Sequence, residues 1–573
     1  MQTDILEIED LTVTFRMGRE EIRAVDHVSF NLKKGCITGI VGESGSGKSV
    51  TALSVMHLLP SPPAFVHARK MLLFDQDGIP TDINSIDNQQ MRNIRGNRVS
   101  MIFQEPMTSL NPVIRCGNQV IEAIRAHQAI SRQEAKKKTL EIFHEVLLPW
   151  PEEIFCAYPH EISGGQKQRV MIAMAVASRP DILIADEPTT ALDVTVQKSM
   201  LQLLKDLQQK YGMAILFITH DLGLVSGFAD DLLVMNNGQI VESGPVKDVF
   251  SSPKHPYTRG LLACRPPLDI SLKKLPTVAD FMQPGSGENN DRLFRSLKRD
   301  ETHYQEQLKE IYLRKPLLET ENLETYFRAK VRRDSGRSFI KAVDGISLKV
   351  FPGEVLGLVG ESGCGKTTLG RSILMLIKST GGKIRFQGEN LTEKDGRTMK
   401  KLRKEMQIIF QDPYSSLNPK MTIGAAIAEP MTVHGIGRDQ CQRRDIALDL
   451  MEKTGLDKKF FYRYPHELSG GQRQRVCIAR ALSVQPKFIV CDESVSALDV
   501  SVQAQVLNLL KELKEVFGLT YIFISHDLSV VKFISDRIAV MKDGKIIETG
   551  TADEVYHSPK SEYTKNLIAA IPS

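Results

Sequence analysis

At 573 residues the chain is too long for a single small module and fits two large domains or several of ordinary size. Hydrophobic residues make up 42% and charged residues 25%, which excludes a disordered or fibrous chain and supplies apolar side chains for several cores. The 74 Lys and Arg against 69 Asp and Glu leave +5, too weak a charge over this length to wrap nucleic acid electrostatically.

The first residues, MQTDILEIED, are acidic where a secretory leader is basic and then apolar, and no window reaches the about 18 apolar residues of a membrane-crossing helix. The chain is therefore expected to stay in the cytosol. Its cysteines (Cys36, Cys116, Cys156, Cys264, Cys364, Cys441, Cys477, Cys491) form no C-x-x-C pair, which argues for reduced thiols and against a disulfide frame or zinc site.

In chain order, AVDHVSFNLKKG (Ala24 to Gly35) is answered by AVDGISLKVFPG (Ala342 to Gly353), so the search for repeats comes first. The apolar run CITGIV then predicts a strand, GESGSGKS a loop, and the periodic SVTALSVMHLL a helix. GESGCGKT repeats that loop. The lysines of the two loops, Lys48 and Lys366, lie 318 residues apart, whereas Ser163 and Ser469, Glu187 and Glu493, and His220 and His526 are each separated by 306. The difference places an insert in the first copy around residues 60 to 90. A period this long is a tandem domain duplication, because solenoid repeats run only about 20 to 50 residues.

In the first loop, Gly42, Glu43, Ser44, Gly45, Ser46 and Gly47 can curl backbone N–H groups around phosphate oxygens, Lys48 reaches the terminal phosphates, and Ser49 puts a hydroxyl on Mg²⁺. Gly360, Glu361, Ser362, Gly363, Cys364, Gly365, Lys366 and Thr367 form the second set. A glycine turn is the alternative for one such loop; two copies, each between strand and helix, argue against it.

IFQEPMTSLNP and IFQDPYSSLNP follow, with Gln104 and Gln411 at strand ends, where an amide can reach metal and water; a buried hydrogen-bonding role stays open for both. YPHEISGGQKQRV and YPHELSGGQRQRV come next. PDILIADEP and PKFIVCDES each read as a buried strand ending in two acids, whose side chains alternate in direction. Asp186 and Asp492 can then orient hydrated Mg²⁺ while Glu187 and Glu493 polarise the attacking water. Taken alone, an apolar strand ending in an acidic turn is common, and its place after a phosphate loop is what assigns it this chemistry. His220 and His526 end the strands AILFIT and YIFIS and read as donors to the γ-phosphate. Residues 263–315 read as a linker, a Pro/Gly-rich loop followed by a solvated charged helix whose interleaved signs disfavour nucleic acid.

Walker A, IFQ-x-P, S-G-G-Q, D-E, A-L-D and His-Asp in this order resemble the nucleotide-binding domain of ATP-binding cassette proteins, twice over nearly the whole chain. The resemblance implies an α/β fold: two tandem P-loop NTPase domains, each with a RecA-like core, an antiparallel β subdomain and a helical signature subdomain, plus C-terminal extensions. The expected boundaries are 1–262 and 316–573, flanking the linker. SGGQ before a helix is expected to have no use within its own domain.

In that family two such domains pack head to tail. Ser163, Gly164, Gly165 and Gln166 would close over ATP at Lys366, and Ser469, Gly470, Gly471 and Gln472 over ATP at Lys48. Asp193 and Asp499 would run along the seam, and Phe15 and Phe327 would stack on adenine. Mg²⁺ would be held by Ser49, Gln104 and Asp186 at one site and Thr367, Gln411 and Asp492 at the other. Ile162 where leucine is usual, Ser494 in place of proline, and phenylalanine in place of tyrosine depart from the family pattern without removing a charge or phosphate ligand. Both sites therefore look competent for hydrolysis.

SPKHPYTRGLL (Ser252 to Leu262) and SPKSEYTKNLI (Ser558 to Ile568) are similar to the dipeptide, oligopeptide and nickel import ATPases, whose two ATPases are usually separate chains. That likeness implies an importer motor, peripheral on the cytoplasmic face of the membrane, working with two permease subunits and, indirectly, an extracytoplasmic solute-binding protein. With only Cys264 after the HPYT segment, no iron–sulfur cluster is expected. The alternatives are a ribosome-binding translation factor, whose long basic linker this chain lacks, and a DNA-repair ATPase, whose zinc modules or coiled coils it also lacks. Twin-cassette sugar importers are a nearer rival but commonly have one degenerate site.

Overall fold

A computed structural model describes residues 3–18, 20–75, 77–103, 109–189, 194–283, 290–328 and 339–571. Each copy is built on a six-stranded sheet. In the first its order is Gln239–Pro245, Asp231–Asn236, Ile37–Val41, Ala214–Thr219, Ile182–Asp186 and Val99–Ile102. In the second the corresponding strands are Lys545–Thr551, Arg537–Lys542, Val355–Val359, Thr520–Ile524, Phe488–Asp492 and Met406–Ile409. Five strands are parallel, and the edge strand Gln239–Pro245, like Lys545–Thr551 in the second copy, pairs antiparallel. The central strands are buried on both faces, which is why they read as continuous apolar runs instead of alternating ones.

A separate antiparallel sheet flanks each core, led by Asp4–Met17 with Glu20–Lys33 and by Leu318–Arg328 with Phe339–Val350. The predicted insert is real structure: Ala64–His67 adds a strand against Thr12 to Phe15 in the first copy, making that sheet five-stranded where the second has four. Among the described residues no helix is long and apolar enough to cross a membrane.

The segment between the copies departs from the expectation of a solvated linker. Its charged part forms two helices, Asn290–Leu297 and Glu301–Tyr312, the second capped by Asp300. One face of the second helix packs on the second copy, with Leu308 buried and the Tyr304 hydroxyl donating to Asp536 at 2.8 Å. The charges cover its outer face, so composition alone concealed the buried stripe.

Upstream, Cys264, Leu272 and Leu275 are buried in the core of the second copy. The Asn508 side chain, on the helix Val500–Phe517, accepts from the Leu275 N–H at 2.8 Å and donates to the Leu275 carbonyl at 2.9 Å. Lys532 donates to the Leu268 carbonyl. The segment thus straps the first copy to the second. Burying two leucines contributes about 1.5–3 kcal/mol each, and Asn508 satisfies both polar groups of the peptide it covers. Asn508→Ala should destabilise the strapped state by about 2 kcal/mol by orphaning that N–H and C=O. Hydrogen exchange at the Leu275 amide reads this, and protection equal to that of the unsubstituted chain would contradict it.

Candidate functional site

Both phosphate loops lie where their strand meets a helix that begins at the loop lysine, Lys48–Val55 and Lys366–Ile373. The residue capping each helix is glycine by necessity. Gly47 sits at φ 101° and Gly365 at φ 105°, and a Cβ there would stand 2.5 Å and 1.9 Å from the carbonyls of Ala24 and Ala342. Lys48 folds over its loop, donating to the carbonyls of Gly42 and Glu43, each at 2.8 Å, and Lys366 does the same to Gly360 and Glu361 at 2.7 and 2.8 Å. Burial lowers the Lys48 pKa against the attraction of Glu187, Asp499 and Asp186.

The loop hydroxyls meet the acids that end the neighbouring strands. Ser49 donates to Asp186 at 2.9 Å and Thr367 to Asp492 at 2.7 Å. Burial raises both aspartates, Asp186 to about 6. The second site carries an extra cation, since Arg371 lies 3.5 Å from Asp492 where the first copy has Leu53.

Each following glutamate points another way for a reason that strand alternation alone does not supply. Glu187 and Glu493 both adopt φ 47°, left-handed backbone that costs a non-glycine residue on the order of 1 kcal/mol or more. Hydrogen bonds from their N–H groups to the carbonyls of Ile218 and Ile524 hold the turn. His220 Nδ1 lies 3.1 Å from Glu187 and His526 Nδ1 3.6 Å from Glu493. Burial works to depress both histidines, but the hydrogen bond and charge of the glutamate prevail and their pKa values rise. The histidines thus face the carboxylates. Gln411 donates to Glu493 at 2.8 Å, while Gln104 and Asp193 lie outside the described residues.

The signature motifs require a correction. Ser163 and Ser469 cap the helices Gly164–Val176 and Gly470–Leu482, accepting from the N–H of Gln166 and Gln472, whose side chains accept from the serine N–H in return. SGGQ therefore has a use inside its own domain, a capping box worth about 1 kcal/mol. It leaves an exposed helix N-terminus beside two small residues. Phe15 is half-buried and Phe327 is 42% exposed, each on the long strand of its antiparallel sheet.

The two copies touch through their phosphate loops. Asp499, which caps its own helix through Val502 N–H, also accepts from Ser44 N–H at 3.2 Å, and the Ser501 hydroxyl donates to the Glu43 carboxylate. Reciprocally, the Thr195 hydroxyl donates to Glu361 at 3.2 Å. Sequence reasoning placed Asp499 on the seam but missed Ser501, Thr195 and the role of the second loop residue. It also missed Tyr257 and Tyr563, whose hydroxyls accept from Glu43 and Glu361 N–H; their signal was the repeated Tyr-Thr of the C-terminal segments.

The family profile described as ABC transporter matches residues 25–190 and 343–496, and that described as oligopeptide/dipeptide transporter, C-terminal region, matches 241–288 and 547–573. The chain is 44% identical over 570 residues to the glutathione import ATP-binding protein GsiA of Pectobacterium atrosepticum, covering 99% of this chain and 89% of that protein. It is 45% identical over 576 residues to the protein of the same name from Escherichia coli (strain K12), covering 99% and 90%.

Proposed function

This chain belongs to the ABC transporter ATPases, and from that premise we propose that it is the motor of an importer for short peptides of the glutathione kind, with both ATP sites hydrolytic. The observation that carries the substrate class is the likeness along 99% of the chain to ATPases named for glutathione import, joined to two oligopeptide-type C-terminal regions. Intact lysine, aspartate, glutamate and histidine sets in both copies support two working sites.

Residues 1–262 and 316–573 are the two cassettes and 263–315 the connection. ATP at the Lys48 loop is completed by Ser469 to Gln472, and ATP at the Lys366 loop by Ser163 to Gln166. Hydroxyl, carboxylate and amide oxygens are the hard donors that suit Mg²⁺, which Ser49, Asp186 and Gln104 would hold at one site and Thr367, Asp492 and Gln411 at the other. Bound there, Mg²⁺ neutralises charge on the phosphates. The chain's own groups do the rest. Glu187 and Glu493 polarise the water, His220 and His526 turn from the carboxylates toward the γ-phosphate, and Phe15 and Phe327 stack on adenine. The Asp193 and Asp499 loops couple the sites. Contacts made only in the closed form shift the equilibrium, and moving 1:99 to 99:1 takes about ten-thousandfold tighter nucleotide binding by that form.

Closure moves the surface near residues 103 and 410, where permease subunits dock on the cytoplasmic side of the membrane. A groove of about 310 Å³ lined by Leu58, Phe103, Met171 and Met174, with Phe103 43% exposed, supports docking there on the first copy. The test is affinity isolation of the full chain from solubilised membranes of its source, then reconstitution of what co-purifies with its binding protein in vesicles. Two integral-membrane subunits and ATP-dependent glutathione uptake are expected. Co-sedimentation with ribosomes and no membrane partner would replace this reading with the translation-factor one.

A further inference from the structure

We propose that Tyr257 and Tyr563 are positioning residues for ATP binding, through which the C-terminal extension of each copy sets the backbone of its own phosphate loop. The proposal rests on reading residues 42–49 and 360–367 as phosphate loops. Tyr257 is 1% exposed and its hydroxyl accepts from the Glu43 N–H at 3.0 Å; the Tyr563 hydroxyl accepts from the Glu361 N–H at 2.9 Å.

The extension is held so that this bond is obligatory. Glu242, on the outermost strand of the first sheet, accepts from the N–H groups of Lys254 and His255 at 2.8 and 3.0 Å, clamping the start of the helix Pro256–Ala263. His255 caps that helix by accepting from Tyr257 N–H at 3.2 Å. In the second copy Glu548 accepts from Lys560 and Ser561 N–H at 2.8 and 3.0 Å and from the Thr564 hydroxyl at 2.6 Å, and Ser561 takes the capping place of His255. His-Pro has become Ser-Glu and Arg-Gly has become Lys-Asn between the copies, yet Tyr-Thr persists. In both copies the tyrosine holds the loop, and in the second Thr564 also donates to the clamping glutamate.

The bonded peptide is the pivot of the loop. Gly42 precedes it at φ 155°, where a Cβ would stand 2.1 Å from the Met235 carbonyl, so only glycine turns there. Around Glu43 the carbonyl accepts from Lys48, the carboxylate accepts from Ser501 of the other copy, and the N–H goes to Tyr257. With that N–H engaged behind the loop, the next one, Ser44 N–H, faces an anionic oxygen, that of Asp499. Without the tyrosine hydroxyl the Glu43 N–H is left unpaired, the peptide can rotate about Gly42, and ATP must order the loop as it binds.

The test is equilibrium titration of the full chain with ATP in EDTA, which separates binding from turnover. Tyr257→Phe is measured in a Lys366→Ala background and Tyr563→Phe in a Lys48→Ala background, so each reports one loop. Each Phe variant should raise the Kd for ATP about 3- to 10-fold, with the Glu43 or Glu361 amide exchanging faster and the Tm close to that of its parent. In the otherwise unsubstituted chain the two Phe changes should raise the KM for ATP while leaving kcat at saturating ATP nearly unchanged. Unchanged Kd in both Phe variants, with loss of stability only in Tyr→Leu, would overturn the proposal and leave the rings as packing. An unsubstituted chain that binds fewer than two ATP would overturn the loop assignment beneath it, a distinguishable result.

Discussion

Glu187→Gln with Glu493→Gln should reduce steady-state phosphate release by about a hundredfold or more, the usual worth of a positioned general base, while ATP stays bound. The reason lies in how each glutamate is placed. Both are held in left-handed backbone directly after the aspartate proposed to hold Mg²⁺, and both face a histidine, at 3.1 Å for Glu187 and 3.6 Å for Glu493, instead of the loop hydroxyl. Glutamine keeps the shape and the hydrogen-bonding reach but cannot take up a proton from water. Phosphate release under saturating Mg-ATP, together with nucleotide content after rapid filtration, measures both halves of the expectation. Near-normal turnover in the double variant would remove these residues as the bases. Each single variant tests equality of the sites, and the Arg371 guanidinium beside Asp492, absent from the first copy, gives a physical ground for them to differ.

Ser469→Arg should lower turnover at the Lys48 site by about a hundredfold, the loss seen when a donor aimed at developing charge is removed, and Ser163→Arg should do so at the Lys366 site. In neither variant is the affected phosphate loop altered, so ATP binding in EDTA should persist. Arginine places bulk across the closing surface, but it also breaks a capping box, which alone costs about 1 kcal/mol of stability. Ser469→Ala separates the two effects, because alanine breaks the capping box without adding bulk. Equal turnover in Ser469→Arg and the unsubstituted chain would sink the head-to-tail assignment. The contacts of Ser44 with Asp499 and of Glu43 with Ser501 across the seam motivate it, since they already bring the second copy to the loop of the first.

Much of the active chemistry was legible because it is local. A phosphate loop needs its glycines, lysine and hydroxyl within eight positions, and the paired acids close a single strand, so spacing carries the geometry. Duplication sharpened it, as each motif could be checked against its counterpart. Local reading faltered where one residue serves two purposes. The signature motif by itself points Ser163 and Ser469 only at the opposite copy, yet each caps its own helix. The acids Asp186 and Glu187 diverge through a strained turn that no alternation pattern announces. The charged stretch after residue 290 hid a packed face, because its long charged side chains cover the helix that buries Leu308 and half-buries Tyr304.

By itself the sequence determined the two-copy architecture, the order of the motifs and the residues proposed to bind phosphate, metal and water, because all of these depend on backbone conformation within a few positions. Only the tertiary structure decided which distant groups complete them. Glu43 meets Ser501 across 458 residues, Asn508 clasps Leu275 across 233, and Tyr257 reaches Glu43 across 214. Such pairings leave no periodic trace, since a buried N–H must be satisfied but any nearby oxygen can satisfy it. Folding chooses the partner, and here it chose tyrosines from the C-terminal extensions and a serine from the opposite copy.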